Sequence, residues 1–152
     1  MRAGTVIKLG VAVVATLFVV AQFIPIDLSN PPVQSDVPAP AAVKVILVKA
    51  CYDCHSHETR WPWYSRVAPL SWWIAHHVDE GRKDLNFSRW PTFDFAGQAL
   101  IRREIEKQVT SGAMPLRSYT VGHPAARLKQ SERQVLLDWA RQGDAADEDL
   151  TR

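Results

Sequence analysis

Both cysteines of this 152-residue chain stand in one string, "CYDCHSHETRWPW", as Cys51 and Cys54, with His55 directly behind the second. A cysteine pair at this spacing serves three chemistries: a redox dithiol, half of a zinc site, or covalent attachment of haem. Random placement would yield such a string on the order of 1 in 2,000 times, so it is a signal. Zinc wants four ligands, usually with a second spaced pair. His57 is too near to supply one, although His76 or His77 could add a single ligand. A redox dithiol belongs at the strand–helix junction of a βαβ unit, and no stretch alternates with period two for long enough to be a strand. A disulfide here would close a very small loop and stabilise little. Haem attachment uses all three residues: two thiols bond the vinyl-derived carbons on one porphyrin edge, and the next residue stands beneath the iron. Cys51 and Cys54 are therefore expected to anchor one covalent haem c, with His55 Nε2 as an axial ligand.

The opposite face of the iron needs a ligand or a vacancy. Met1 lies at the far N-terminus, which leaves Met114, in "TSGAMPL", as the usable thioether. A loop bounded by a helix stop and a proline can present a side chain rigidly. The simpler role for Met114 is a plastic core filler. His76 and His77 are its rivals as ligand, and on a helix they point about 100° apart, so at most one could face the site. His123, in "GHPAA", is expected to be a loop histidine.

Other elements must position these groups. Arg2 and Lys8 precede an uncharged apolar stretch, residues 9–26, which describes an uncleaved membrane anchor or a secretory signal. Its length and weak cleavage pattern favour the anchor. Either way the positive-inside rule sends the rest of the chain across the membrane. Residues 25–40 carry five prolines and no aromatic residue, and at about 3.1 Å per residue would act as a tether of up to ~50 Å. Then come short helical patterns. Val43, Ile46, Leu47 and Ala50 form one apolar stripe, and Leu100, Ile101, Ile105 and Val109 another, ending at Gly112. Ser71 reads as an N-cap with Gly81 as a stop, and Ser131 with Gln134 as a capping box ahead of Val135, Leu136, Trp139 and Gly143. The cluster Trp61, Trp63, Trp72 and Trp73 suggests a core filled with large residues, or a wall around something flat. The expected organisation is anchor 1–26, linker 27–40, an all-α haem-binding domain 41–143 and an acidic tail 144–152. A formal charge of +2 without a basic run gives no reason to expect nucleic acid as a partner.

"CYDCHSHETRWPWYSRVAPLSWWIAHHVDEGRKDLNFSRW", "GAMPLRSYTVGHPAARL" and "SERQVLLDWA" together resemble the bacterial haem-binding domain family related to monohaem cytochromes c. The likeness covers most of residues 20–142, and "QFIPIDLSNPPV" is similar to that family's anchor and exit segment. It implies a small helical cytochrome c-like fold, Cys51 and Cys54 as attachment points, His55 as proximal ligand and Met114 as distal ligand. His57 departs from the pattern, where Asn is expected. The function expected is one-electron transfer on the periplasmic side of the inner membrane, with an unnamed redox partner. The alternative is a haem enzyme or a gas or redox sensor with a labile distal site. Arg60 and Asn86 are candidates to hold a propionate, and Trp61, Trp63, Tyr64 and Trp90 to keep the cofactor dry.

Overall fold

In the computed structural model, which describes residues 3–92 and 95–150, the chain is all-α. Its helices are α1 (Ala3–Ala21), α2 (Ala41–Ala50), α3 (Tyr52–His55), α4 (Leu70–Asp84), α5 (Phe95–Ser111), α6 (Arg117–Gly122) and α7 (Gln130–Leu150). Short 3₁₀ turns lie at Trp63–Arg66, Phe87–Thr92 and Pro124–Ala126, and no strand occurs among the described residues. The stripe ahead of the cysteines does what its period requires: Val43, Ile46, Leu47 and Ala50 are the buried residues of α2. Val43, Ile46 and Leu47 meet Ile105 and Val109 of α5 and Leu136, Leu137, Trp139 and Ala140 of α7 in one core. Large rings complete it. Tyr52 stacks on Phe87 at 5.1 Å, Phe87 on Trp90 at 6.2 Å, and the Arg102 guanidinium lies 4.5 Å from the Trp139 ring centre.

Several helix details differ from expectation, each for a local reason. α4 starts behind Pro69, so Ser71 is a buried residue inside the helix, and the helix runs through Gly81 to Asp84. The start of α7 is capped by Glu132, whose Oε2 accepts the Lys129 N–H at 2.8 Å, and not by Ser131. That helix also passes Gly143 without stopping. Leu100 is 64% exposed; Ala99 takes the buried position beside it. The tryptophan cluster is not core. Trp63 is 78% and Trp73 44% exposed, while the buried tryptophans are Trp90 and Trp139.

The larger correction concerns the proline-rich segment, which is a strap and not a tether. Asn30 Nδ2 donates to the Thr59 carbonyl at 2.9 Å, and the Gln34 and Ser35 amides both donate to the Ser88 carbonyl. Val37 is buried in the core. The Arg82 guanidinium ties the strap down, donating to Ser29 O (3.2 Å) and Asn30 Oδ1 (2.7 Å) and also to Ser56 O (2.8 Å) and Thr59 Oγ1 (3.0 Å). Asp36, at the strap's end, accepts from Tyr52 and pairs with Lys44. Prolines suit this role: they set φ in advance and lower the entropy lost when the segment is laid down.

Candidate functional site

α2 ends at Cys51, whose backbone (φ −126°, ψ −37°) leaves helical geometry. Its carbonyl then accepts the amides of Cys54 (3.1 Å) and His55 (2.9 Å), closing the single turn of α3. One turn brings residues three apart onto the same side, so Cys51 and Cys54 share a face. Both are free thiols, partly buried. Burial pushes the Cys51 thiol up to about 12 and the Cys54 thiol up to about 11, so both are neutral. A reactive dithiol needs the opposite shift, and a zinc site would need more ligands. Among the described residues no three His, Cys, Asp or Glu side chains converge as metal ligands.

His55 is fixed from behind. Its Nδ1–H donates to the Gly81 carbonyl at 2.7 Å, with the Leu85 carbonyl at 3.2 Å. A carbonyl only accepts, so the proton sits on Nδ1 and the Nε2 lone pair stays available to a metal. Gly81 makes the contact possible. A Cβ at that position would lie 2.8 Å from the Cys54 carbonyl oxygen and 3.3 Å from the Cys54 carbonyl carbon and Cβ. Only glycine lets α4 come this close to the cysteine turn. A glycine inside an otherwise helical pattern was the available signal, and it marks a close approach rather than a helix end.

Met114 reaches the same place by a different route. α5 ends at Gly112, whose φ of +72° is a conformation that side chains resist, and the Met114 amide folds back to donate to Gln108 O at 3.2 Å. Met114, Cys51 and His55 together line a cleft of about 450 Å³, walled by Leu47, Phe87, Ile101, Ile105 and Val109. That volume lies in the range of cofactor pockets. A second cleft of about 260 Å³ shares Cys51, His55, Met114 and Pro115 with it and adds Cys54, His76 and His77. So both rival histidines lie on the methionine's cleft. His77 Nδ1–H donates to Trp73 O at 2.8 Å, which keeps its Nε2 free.

The remaining predicted residues separate into two groups. Arg60, Trp61 and Tyr64 line a third, mostly apolar groove of about 280 Å³ that reaches Cys54 and His77. There Arg60 pairs with Asp53 at 3.3 Å while its side chain stays 67% exposed, and Tyr119 OH donates to the same carboxylate at 2.7 Å. Tyr64 OH donates to His123 Nε2 at 3.2 Å, and His123 Nδ1–H donates to Tyr119 O at 3.1 Å. The Trp61 indole N–H is buried there and has no hydrogen-bond partner among the described residues. Asn86 and Trp90 line none of these three clefts. Asn86 Nδ2 donates to His57 Nε2 at 2.8 Å, and His57 Nδ1–H donates to Pro32 O at 2.9 Å, a buried relay that holds the strap. Trp90 belongs to the core. His57 thus has a structural use, as do Gly81 and Arg82, which motif spacing does not single out.

No curated protein and no solved structure matches this chain. The sequence profile of the haem-binding domain family matches residues 16–142, from within α1 through the strap, the cysteine turn and the Met114 loop to α7, and the chain belongs to that family.

Proposed function

We infer that the chain is a membrane-anchored c-type protein carrying one covalent haem, and that it transfers single electrons on the periplasmic side of the bacterial inner membrane. One observation carries this reading. The imidazole of His55 is locked by the Gly81 carbonyl with Nε2 free, beside two neutral thiols and on the cleft that Met114 lines. Cys51 and Cys54 would hold the macrocycle, and His55 and Met114 would take the two axial positions. A haem c bound there supplies a one-electron iron couple whose potential is raised by methionine ligation. The chain's own residues do the rest. Leu47, Phe87, Ile101, Ile105 and Val109 exclude water from one side of the cleft, whose lining is completed by polar residues that include Asp84, Glu104 and Gln108. The unpartnered Trp61 N–H and the Asp53-bound Arg60 stand beside Cys54, where they suit a carboxylate on the cofactor's edge. α1 has mean hydropathy 2.2 and is long enough to cross a membrane.

The free Nε2 of His77 on the Met114 cleft favours a second reading, in which the methionine yields its position and the histidine serves an enzyme or sensor as acid–base group. The two are separated by one experiment. The full chain, produced in a host competent for cytochrome c maturation, is expected to gain the mass of one macrocycle. Its ferric spectrum is expected to show the weak long-wavelength band of methionine ligation, lost in Met114→Ala. A high-spin ferric spectrum that shifts on adding cyanide supports the second reading. A bare polypeptide mass overturns both.

A further inference from the structure

α1 carries one charged residue, Lys8, on an otherwise largely apolar surface, and none of its residues is fully buried in protein, which suits lipid. Nineteen residues at about 1.5 Å each cover roughly 28 Å, close to the ~30 Å of a bilayer's hydrocarbon core; with the Lys8 ammonium extended back to the inner interface, the helix ends at the opposite lipid–water boundary. Gln22 follows immediately, and its side-chain amide clamps one point of the domain. The Ala68 N–H donates to Gln22 Oε1 at 2.9 Å, and Gln22 Nε2 donates to the Ala68 carbonyl at 3.3 Å. Ala68 is therefore held one side-chain length from the end of the span.

The surface around that clamp is unusual for a water-facing one. Trp63 is 78% exposed, Trp73 44% and Leu70 43%, all within five residues of Ala68, and the emerging chain adds Phe23 at 81%. Arg66 is exposed and lines a hollow with Gln22 and Ala68. Tryptophans with a neighbouring cation are what lipid headgroups and the outer acyl region accommodate. Contiguous exposed apolar residues in a soluble domain otherwise mark a partner. We propose that this face docks on the bilayer that α1 spans, with Trp63, Leu70 and Trp73 in the interfacial region. The occupant is the lipid itself, because continuity with the span brings lipid to this face before any other partner. The proposal rests on the reading of α1 as an uncleaved anchor. Leu70 and Trp73 also line the groove that reaches Cys54, so that groove opens toward the membrane.

The test uses the haem-loaded full chain in nanodiscs of mixed neutral and anionic lipid. A p-benzoylphenylalanine photocrosslinker replaces Trp63 or Trp73, or, as a control, the exposed Lys107 of α5. After irradiation, mass spectrometry reads the adducts, and extraction of parallel membranes at alkaline pH reads the anchor. Retention at alkaline pH with lipid adducts severalfold higher at 63 and 73 than at 107 is the expected result. Retention with equal adducts at all three positions, or with only protein adducts at 63 and 73, overturns the docking face and leaves the anchor standing. Release of the protein at alkaline pH overturns both. An unchanged haem spectrum in each variant certifies its fold.

Discussion

Gly81→Ala tests the packing that holds His55. The added methyl would sit 2.8 Å from the Cys54 carbonyl oxygen and 3.3 Å from two further Cys54 atoms, two of the three being backbone that cannot swing aside. Either the methyl is forced in, at about 1–3 kcal/mol for overpacking, or α4 backs away. Backing away stretches the 2.7 Å bond from His55 Nδ1 to Gly81 O, worth about 1 kcal/mol. Alanine returns about 1 kcal/mol in helix propensity. The net expected loss is about 0–2 kcal/mol. With a urea slope of about 1–2 kcal/mol per molar, the unfolding midpoint should fall by up to about 1 M. The assay is urea unfolding of the detergent-solubilised, haem-loaded chain, followed by far-ultraviolet circular dichroism and by haem absorbance, with the axial-ligand spectrum recorded before denaturant is added. Gly112→Ala is the comparison. It meets no atom within 4 Å but must hold φ at +72°, so it should lose about 1–2 kcal/mol without altering the His55 signature. A midpoint that rises in Gly81→Ala, as in an unconstrained helix, with an unchanged ligand spectrum, would refute the close-approach argument.

Arg82→Ala removes four hydrogen bonds that join the strap to the cysteine turn, and the melting temperature should drop by about 10 °C. Arg82→Lys should recover less than half of that, since an ammonium cannot reproduce the planar fork; full recovery would make the charge alone responsible. The carboxyl of Glu132 is held below its ordinary value of 4.5, first by the bond from Lys49 and then by the Lys129 amide. Its folded pKa is the lower one, so its stabilisation is fully present above about pH 4.5 and fades as pH falls through the folded value. Glu132→Gln should therefore be less stable than the parent at neutral pH, with the gap closing below pH 4 in denaturation series; a gap independent of pH would contradict this.

Much of the candidate site was legible along the chain because its spacing is local. A helical turn places Cys51, Cys54 and His55 together whatever the rest of the protein does, and the stripe of Val43, Ile46, Leu47 and Ala50 needs only the 3.6-residue period. Met114 was legible from scarcity, being the only methionine besides Met1. The tryptophan cluster misled because aromatic mass in a small domain usually fills its core, whereas here α5 and α7 already fill it with Trp139 and aliphatic residues. The sequence does not show that the side chain of Asn86 bonds to His57 or that Trp90 packs in the core, since both depend on contacts with distant residues.

The residue order by itself determined the all-helical class, the apolar first helix, and a thiol pair and imidazole on one turn. All three follow from short-range backbone geometry. Only the tertiary structure decided that residues 25–40 are bound down, that Gly81 supplies the carbonyl behind His55, and that Met114 shares the imidazole's cleft. Those depend on hydrogen bonds and contacts between residues 25 to 60 positions apart. Prolines read alike whether a segment hangs in water or lies on a surface. The choice is made by partners such as Arg82 and His57, whose reach no local pattern encodes.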